Sequence, residues 1–208
     1  MLHLETVEPD TFSVLKQLME MPQLKGFSLV GGTALSLLYG HRKSVDLDFF
    51  SNQSFENTNL VTAMTAKFKD RFIMEQKPPA FGIFCYVDEV KIDLVRHPHP
   101  LIRPEENREG LRMFSTEDII AMKVQAVLGR GKKKDFWDIA ELLNHFTIAD
   151  FVQFHKEKYT TQNLMITVPQ AIAYFADAEE SEDPISLKKQ TWKSVQKFIN
   201  TKVSDYLK

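Results

Sequence analysis

The feature that most restricts the fold is the run GGTALSLLYGHRKSVDLDFF at residues 31–50. A β-rich stretch, Phe27 to Val30, stops at the pair Gly31-Gly32, and a short apolar helix follows with Gly40 as its stop. VDLDFF, residues 45–50, then reads as a strand. Its Asp46 and Asp48 are two apart, so both carboxylates point to one side while Leu47 and Phe49 point to a core. Aspartate is depleted in strands, and like charges on one face repel. A divalent cation between the carboxylates would resolve that repulsion, and Mg²⁺ commonly combines a few carboxylates with substrate phosphates.

Around this run, residues 1–112 mix strand and helix signals, whereas 113–208 read almost wholly helical, so we expect an α+β core followed by a helical region. Helices are expected over 11–21, closed by Pro22, and over 57–71. Three further β-type runs follow: FIMEQK, FGIFCYV and VKIDLV. The last two are separated by Asp88-Glu89, the length of a tight hairpin though not its preferred turn residues. Residues 96–112 hold three prolines and four arginines with little periodicity and read as a connecting loop. Ser115 to Asp118 reads as a capping box, with Asp in the acidic position, opening a helix to about Leu128. GRGKKK breaks it, DFWDIAELLNHF resumes it, and two more helices are expected at about 148–158 and 187–206. The stretch YFADAEESEDP between these reads as a solvated acidic loop.

Three further positions bear on chemistry. Asp93, between Ile92 and Leu94, stands on the polar side of its strand; if that strand neighbours Asp46 and Asp48, three carboxylates converge. Such a set can hold two metals about 3.5–4 Å apart for an in-line phosphoryl displacement. Gly31 and Gly32, ending a strand and opening a helix, let backbone N–H groups approach a phosphate, with Thr33 as an added hydroxyl. Lys123, Val127 and Arg130 share one helical side, which would bring Lys123 and Arg130 to phosphate oxygens. Asp135 opens the next helix, where it would cap N–H groups or hold Lys123 and Arg130.

These residues resemble the nucleotidyltransferase superfamily, which includes DNA polymerase β and tRNA-tailing enzymes, in the order G-G, Asp-Leu-Asp, then a separate strand with one Asp. More narrowly, GGTAL and HRKSVDLDFF, with STEDIIAMKVQAVLGRGKKKDFWDIAELL downstream, resemble the AbiEii/AbiGii-type toxin family over roughly residues 27–143. The resemblance implies a nucleotidyltransferase α/β core with a mixed sheet over 1–112. A helical region over 113–208 would complete the site and present the acceptor. It implies a functional set of Asp46, Asp48, Lys123 and Asp135, with Asp93 as the superfamily's third carboxylate. Gly32 departs from the pattern, since many members have Ser there. The implied activity is transfer of a nucleoside monophosphate from an NTP to an acceptor hydroxyl, with two Mg²⁺ (or Mn²⁺) held by Asp46, Asp48 and Asp93. Members are often the toxin half of toxin–antitoxin or phage-defence pairs, and some act on the tRNA 3′ end. An RNA acceptor and a cognate antitoxin are therefore the implied partners.

Plainer readings stand beside these. Lys91 and Asp93 alternate as any half-buried strand does, Lys123 could snorkel to solvent, and Asp135 could be a simple cap. Lys132 to Lys134 could be a solvated basic loop. Arg42 and Lys43, just ahead of Asp46, would either neutralise phosphate or only offset the acidic cluster. His97 and His99 alternate in a proline-rich loop with no third ligand, which argues against a metal site. Phe136 and Trp137 suit core packing better than base stacking.

Composition narrows the classes further. With 26 Lys+Arg against 28 Asp+Glu, a net charge of −2 argues against a generic nucleic-acid coat. The single cysteine, Cys85, reads as core, and excludes an internal disulfide framework and a cysteine zinc cluster. No run of about 18 apolar residues is present and the start lacks a signal-peptide pattern, so a cytoplasmic, membrane-free setting is expected. Two rivals remain: a nucleotidyltransferase acting on a small molecule or protein, and a non-catalytic binding protein on the same fold. An RNA acceptor predicts a continuous basic surface joining Lys132–Lys134 to Arg103, Arg108 and Arg112.

Overall fold

The computed structural model describes residues 1–208. Its centre is a seven-stranded mixed sheet in the order β3-β4-β5-β2-β1-β7-β6. The strands are β1 (Ser28–Val30), β2 (Leu47–Ser51), β3 (Phe72–Ile73), β4 (Gly82–Val87), β5 (Val90–Arg96), β6 (Glu106–Arg108) and β7 (Leu111–Met113). The helices are α1 (Pro9–Met19), α2 (Gly31–Tyr39), α3 (Asn57–Phe68), α4 (Thr116–Gly129), α5 (Lys133–Leu142), α6 (Ile148–Lys158), α7 (Val168–Ile172) and α8 (Trp192–Tyr206). The α+β expectation holds. No helix is long and apolar enough to cross a membrane.

Alternation decides which side of the sheet becomes core. Leu47 and Phe49 on β2, Ile83 and Cys85 on β4, and Ile92 and Leu94 on β5 are fully buried. Their neighbours Asp48, Phe50, Lys91, Asp93 and Tyr86 are only partly covered. One side of the three strands is thus apolar and packed, with α1 against β5 and β7 and α3 against β4, while the other carries polar and aromatic groups. The hydrophobic cluster continues from the sheet into α4 to α8, so both halves of the chain share it. Phe136 and Trp137 belong to it, with Trp137 stacked on Trp192 at 5.7 Å and 8° between planes.

Several expectations are corrected in detail. The 96–112 segment is no plain loop: β6 and β7 form a hairpin there, and β7 runs parallel to β1. Each of these strands has three residues, too few for alternation to show. The turn between them carries positive φ at Glu109 and Gly110, and Asn107 Oδ1 accepts the Gly110 N–H at 3.0 Å. FIMEQK supplies only the two residues of β3, and VDLDFF is extended only from Leu47. The last helix starts at Trp192 rather than 187, because 185–187 is drawn to 41–43 instead. There Lys43 N donates to Ile185 O, Leu187 N donates to His41 O, and Arg42 and Ser186 form a β-bridge. Helix α7, capped by Thr167 and Gln170, lies in a stretch for which no element was expected. Asp88 and Glu89 do make the two-residue hairpin, both with positive φ, and Arg71 pairs with Asp88 beside it.

Ser115 caps α4 as expected, accepting the Asp118 N–H at 3.1 Å. Asp118, however, turns to the preceding loop and accepts from Ile102 N, Arg103 N and the fully buried Lys158, whose Nζ is 2.6 Å away. That buried pair fastens the HPHP loop, through Lys158 and Pro100 O at 3.1 Å, to α4 and α6.

Candidate active site

Strand register creates the site. β2 and β5 run parallel with Asp48 opposite Asp93, so both carboxylates stand on the same, less covered side of the sheet. β1 runs antiparallel to β2 with Val30 opposite Asp48, which sets the following turn against that carboxylate. Gly31 has φ +70°, and a Cβ there would lie 2.6 Å from an Asp48 oxygen. Glycine is therefore required by backbone and space together.

Burial raises the Asp48 carboxyl, the neighbouring Asp93 charge raises it further, and it is pushed up to about 6. Asp93 pairs with Lys91 at 3.0 Å through one oxygen, while its other oxygen, Oδ1, is buried and has no partner. Asp46, just ahead of β2, pairs with Lys134 at 3.0 Å. The convergence expected of three carboxylates is thus only partly met. Asp48 and Asp93 face each other across the strands, but no three acidic, His or Cys side chains are gathered tightly enough to cage an ion. Coulomb repulsion is the reason: Asp46 and Asp93 take lysine counter-charges instead of closing on Asp48. The donor set nonetheless fits a hard cation, being all oxygen, with one orphaned carboxylate oxygen and one carboxyl whose charge the fold resists.

The cationic wall comes from α4 and α5. Lys123 is buried, with Nζ 2.9 Å from Asp135 and 2.6 Å from Asp138. Burial opposes its charge, but Asp135 and Asp138 outweigh that and hold its pKa above the ordinary lysine value. Asp135 also accepts the Lys132 N–H at 3.0 Å and caps α5, so it serves as cap and holds Lys123 but not Arg130. Arg130 is exposed and is not among the ion pairs of Asp135.

The residue that sequence reasoning missed is Asp138, which is fully buried. Arg42 grips it with Nε at 2.7 Å and a second nitrogen at 2.9 Å, and His41 Nε2 approaches at 2.7 Å. The available signal was its spacing: Asp135 and Asp138 are three apart, on one helical face, beside an expected core pair.

Two candidate phosphate ligands have protein partners in this arrangement. Arg42 is buried and its guanidinium is committed to Asp138. Thr33 is buried too, and its hydroxyl donates to the Asp46 carbonyl and accepts from Ser44 Oγ at 2.8 Å. Both position the Asp46 segment, because their polar groups find partners there that burial obliges them to keep. Gly32 finds its reason here as well: a Cβ would collide with a guanidinium nitrogen of Arg42. Gly32→Ala is expected to cost about 1–3 kcal/mol, because the displaced guanidinium is held by a buried carboxylate. Urea unfolding would measure it, and a change within error would mean that Arg42 relaxes freely.

The site opens into three adjoining spaces. The middle one, about 180 Å³, holds Asp46, Asp48, Asp93, Lys91 and Lys134. Towards the chain's C-terminal half lies a groove of about 470 Å³ between Lys132, Lys134 and the acidic residues Glu180 to Asp183. On the opposite side a pocket of about 370 Å³ carries Gly31, Asp48, Phe50, His97, Lys123 and Tyr159. The arginines expected to extend a basic surface from Lys132–Lys134 each have protein partners. Arg112 donates to the carbonyls of Phe27, Met19 and Leu24, Arg103 pairs with Glu117 and Glu157, and Arg108 with Glu106.

A family model described as nucleotidyl transferase AbiEii toxin, Type IV TA system, matches residues 13–205. The uncharacterized protein aq_aa25 of Aquifex aeolicus is 30% identical over 200 residues, which cover 93% of this chain and 94% of that one. Among solved structures, a Helicobacter pylori protein described as a nucleotidyltransferase aligns with a TM-score of 0.58 at 18% identity, covering 97% of this chain and 99% of the other. MenT4, a nucleotidyltransferase toxin from Mycobacterium tuberculosis, gives 0.61 at 11% identity, with 92% and 81% covered. At those identities the likeness concerns the fold, which is that of nucleotidyltransferases.

Proposed function

The chain belongs to the AbiEii nucleotidyltransferase toxin family and is a nucleotidyltransferase, and from that premise we propose that it moves a nucleoside monophosphate from an NTP to a hydroxyl of RNA, at the tRNA 3′ end. In this reading it is the toxin of a toxin–antitoxin or phage-defence pair, with a cognate antitoxin as protein partner. The observation that carries the transfer chemistry is the register of Asp48 against Asp93, beside a glycine turn that opens a helix.

Asp46, Asp48 and Asp93 would hold Mg²⁺, which when bound neutralises triphosphate charge and makes the acceptor hydroxyl more acidic. The N–H groups at the start of α2, around Gly31 and Gly32, lack intrahelical partners and would receive phosphate oxygens. Lys123 and Arg130 would supply positive potential from α4, and Asp135 would hold Lys123 in place. The unpartnered Asp93 oxygen would take the acceptor's proton as its oxygen bonds to the α-phosphorus. The bond to the bridging oxygen then breaks and pyrophosphate leaves. Residues 113–208 would present the acceptor through the groove beside Asp46.

The engagement of Arg103, Arg108 and Arg112 with carboxylates and carbonyls favours a second reading, in which the acceptor is a small molecule or a protein hydroxyl. Both are tested by offering each labelled NTP with Mg²⁺ to total RNA, small metabolites and protein, beside the Asp46→Ala/Asp48→Ala variant. Label in tRNA that the variant abolishes supports the first reading, and label in another fraction supports the second. A folded chain that labels nothing would sink both.

A further inference from the structure

His97, from the HPHP loop at 97–100 that was set aside as a metal site, lines the 370 Å³ pocket together with Tyr159. Behind them His99 packs against both rings, with centroids 4.7 Å apart for His97–His99 and His99–Tyr159 and 6.1 Å for His97–Tyr159. Phe50, on the same side of β2 as Asp48, places its ring 5.4 Å from His97. The loop is no passive connector: His97 N donates to Ser51 O at 2.7 Å, and the buried Lys158 holds Pro100 O from the other side. His97 Nε2 is buried without a partner, which is unusual for a polar atom in a region so firmly tied down.

The three spaces differ in chemistry. The middle one is walled by charges, and the groove beyond Asp46 is walled by lysines and acids. Half of the lining residues of the HPHP pocket are hydrophobic, yet it reaches Gly31, Asp48 and Lys123 at its inner end. A ligand filling it therefore needs a flat apolar body with a polyanion attached at one edge. Resting on the nucleotidyltransferase reading, we propose that this pocket is the donor's base subsite: it takes the nucleobase of the NTP between the sheet and α4, beside His97, with the triphosphate running towards Gly31 and Lys123.

Ring-on-ring contact and exclusion of water supply the affinity there. Burial, with Lys158 adding to it, lowers the His97 imidazole to about 3, so at neutral pH it presents one N–H and one lone pair. A neutral imidazole can discriminate between bases by hydrogen bonding without competing for the phosphates. The acceptor is left with the opposite groove, which gives the site a direction.

The test compares binding of ATP, GTP, CTP and UTP with that of inorganic tripolyphosphate, by titration calorimetry in Mg²⁺ on the whole chain. At least one NTP is expected to bind more tightly than tripolyphosphate. His97→Ala, and separately Met122→Trp, which fills the pocket from α4, are expected to weaken that NTP by about tenfold or more while leaving tripolyphosphate unchanged. Equal affinity of the wild type for NTPs and tripolyphosphate would overturn the subsite but leave the transferase reading standing. Parallel loss of both ligands in the two variants would mean a purely structural role and would also overturn it. A folded wild type that binds neither removes the donor reading, and the subsite with it.

Discussion

Asp48→Asn is expected to stabilise the chelated protein at pH 8 while abolishing nucleotidyl transfer. In the fold the Asp48 carboxyl is pushed from 3.8 up to about 6, so the folded chain holds that proton more tightly than the unfolded chain does. The sign follows from linkage. The contribution is fully present below about pH 3.8 and is lost as pH rises through about 6, leaving an ionised, partly buried carboxylate beside Asp93. The difference corresponds to roughly 3 kcal/mol, and Asn, which cannot ionise, escapes it. Urea unfolding in EDTA should therefore show the variant ahead at pH 8 and level with the wild type near pH 4. Saturating Mg²⁺ should close the gap at pH 8, because a cation bound to the wild type counters the same repulsion. A variant less stable than the wild type in EDTA at pH 8 would show that Asp48 is comfortable as an anion, removing the physical case for a cation beside it.

The opposite sign is expected at Asp138. Arg42, Lys123 and His41 all converge on this fully buried carboxylate. Although burial opposes its ionisation, Arg42 and Lys123 hold it well below the usual carboxylate range. Removing it leaves buried Arg42 without its carboxylate partner and Lys123 with Asp135 alone, a change that typically costs about 3–5 kcal/mol. Asp138→Ala should lose that much in urea unfolding at neutral pH. Asp135→Ala should lose less, since Asp135 is partly exposed and shares Lys123 with Asp138. Transfer should fall in both. If Asp138→Ala unfolded at the wild-type urea concentration, the cluster would be dispensable to the fold.

What could be read in advance, and what could not, divides along physical lines. β1, the glycine turn, β2 and β5 were legible because alternation and misplaced charge are local signals: Asp48 and Asp93 violate the preference of strands in a way that calls for a partner. Core assignments for Cys85, Phe136 and Trp137 were legible for the same reason, as apolar groups in apolar periodicity. The β6–β7 hairpin was not, because three-residue strands carry no measurable period. Asp138 was not, because an aspartate in a helix reads as solvated until its partner is known, and Arg42 lies 96 residues earlier in the chain. The protein partners of Arg42 and Thr33 were illegible for the same reason, since they come from elsewhere in the fold.

The β-bridge between Arg42 and Ser186, with the flanking bonds from Lys43 to Ile185 and from Leu187 to His41, has a consequence for the order of events during synthesis. The segment leading into Asp46 is held from one side by α5 and from the other by residues 185–187, which the ribosome adds long after it. A nascent chain carries both early aspartates long before it owns the means to fix them. A chain that stops short of the 185–187 strap therefore leaves the ribosome without the bonds that hold the segment ahead of Asp46.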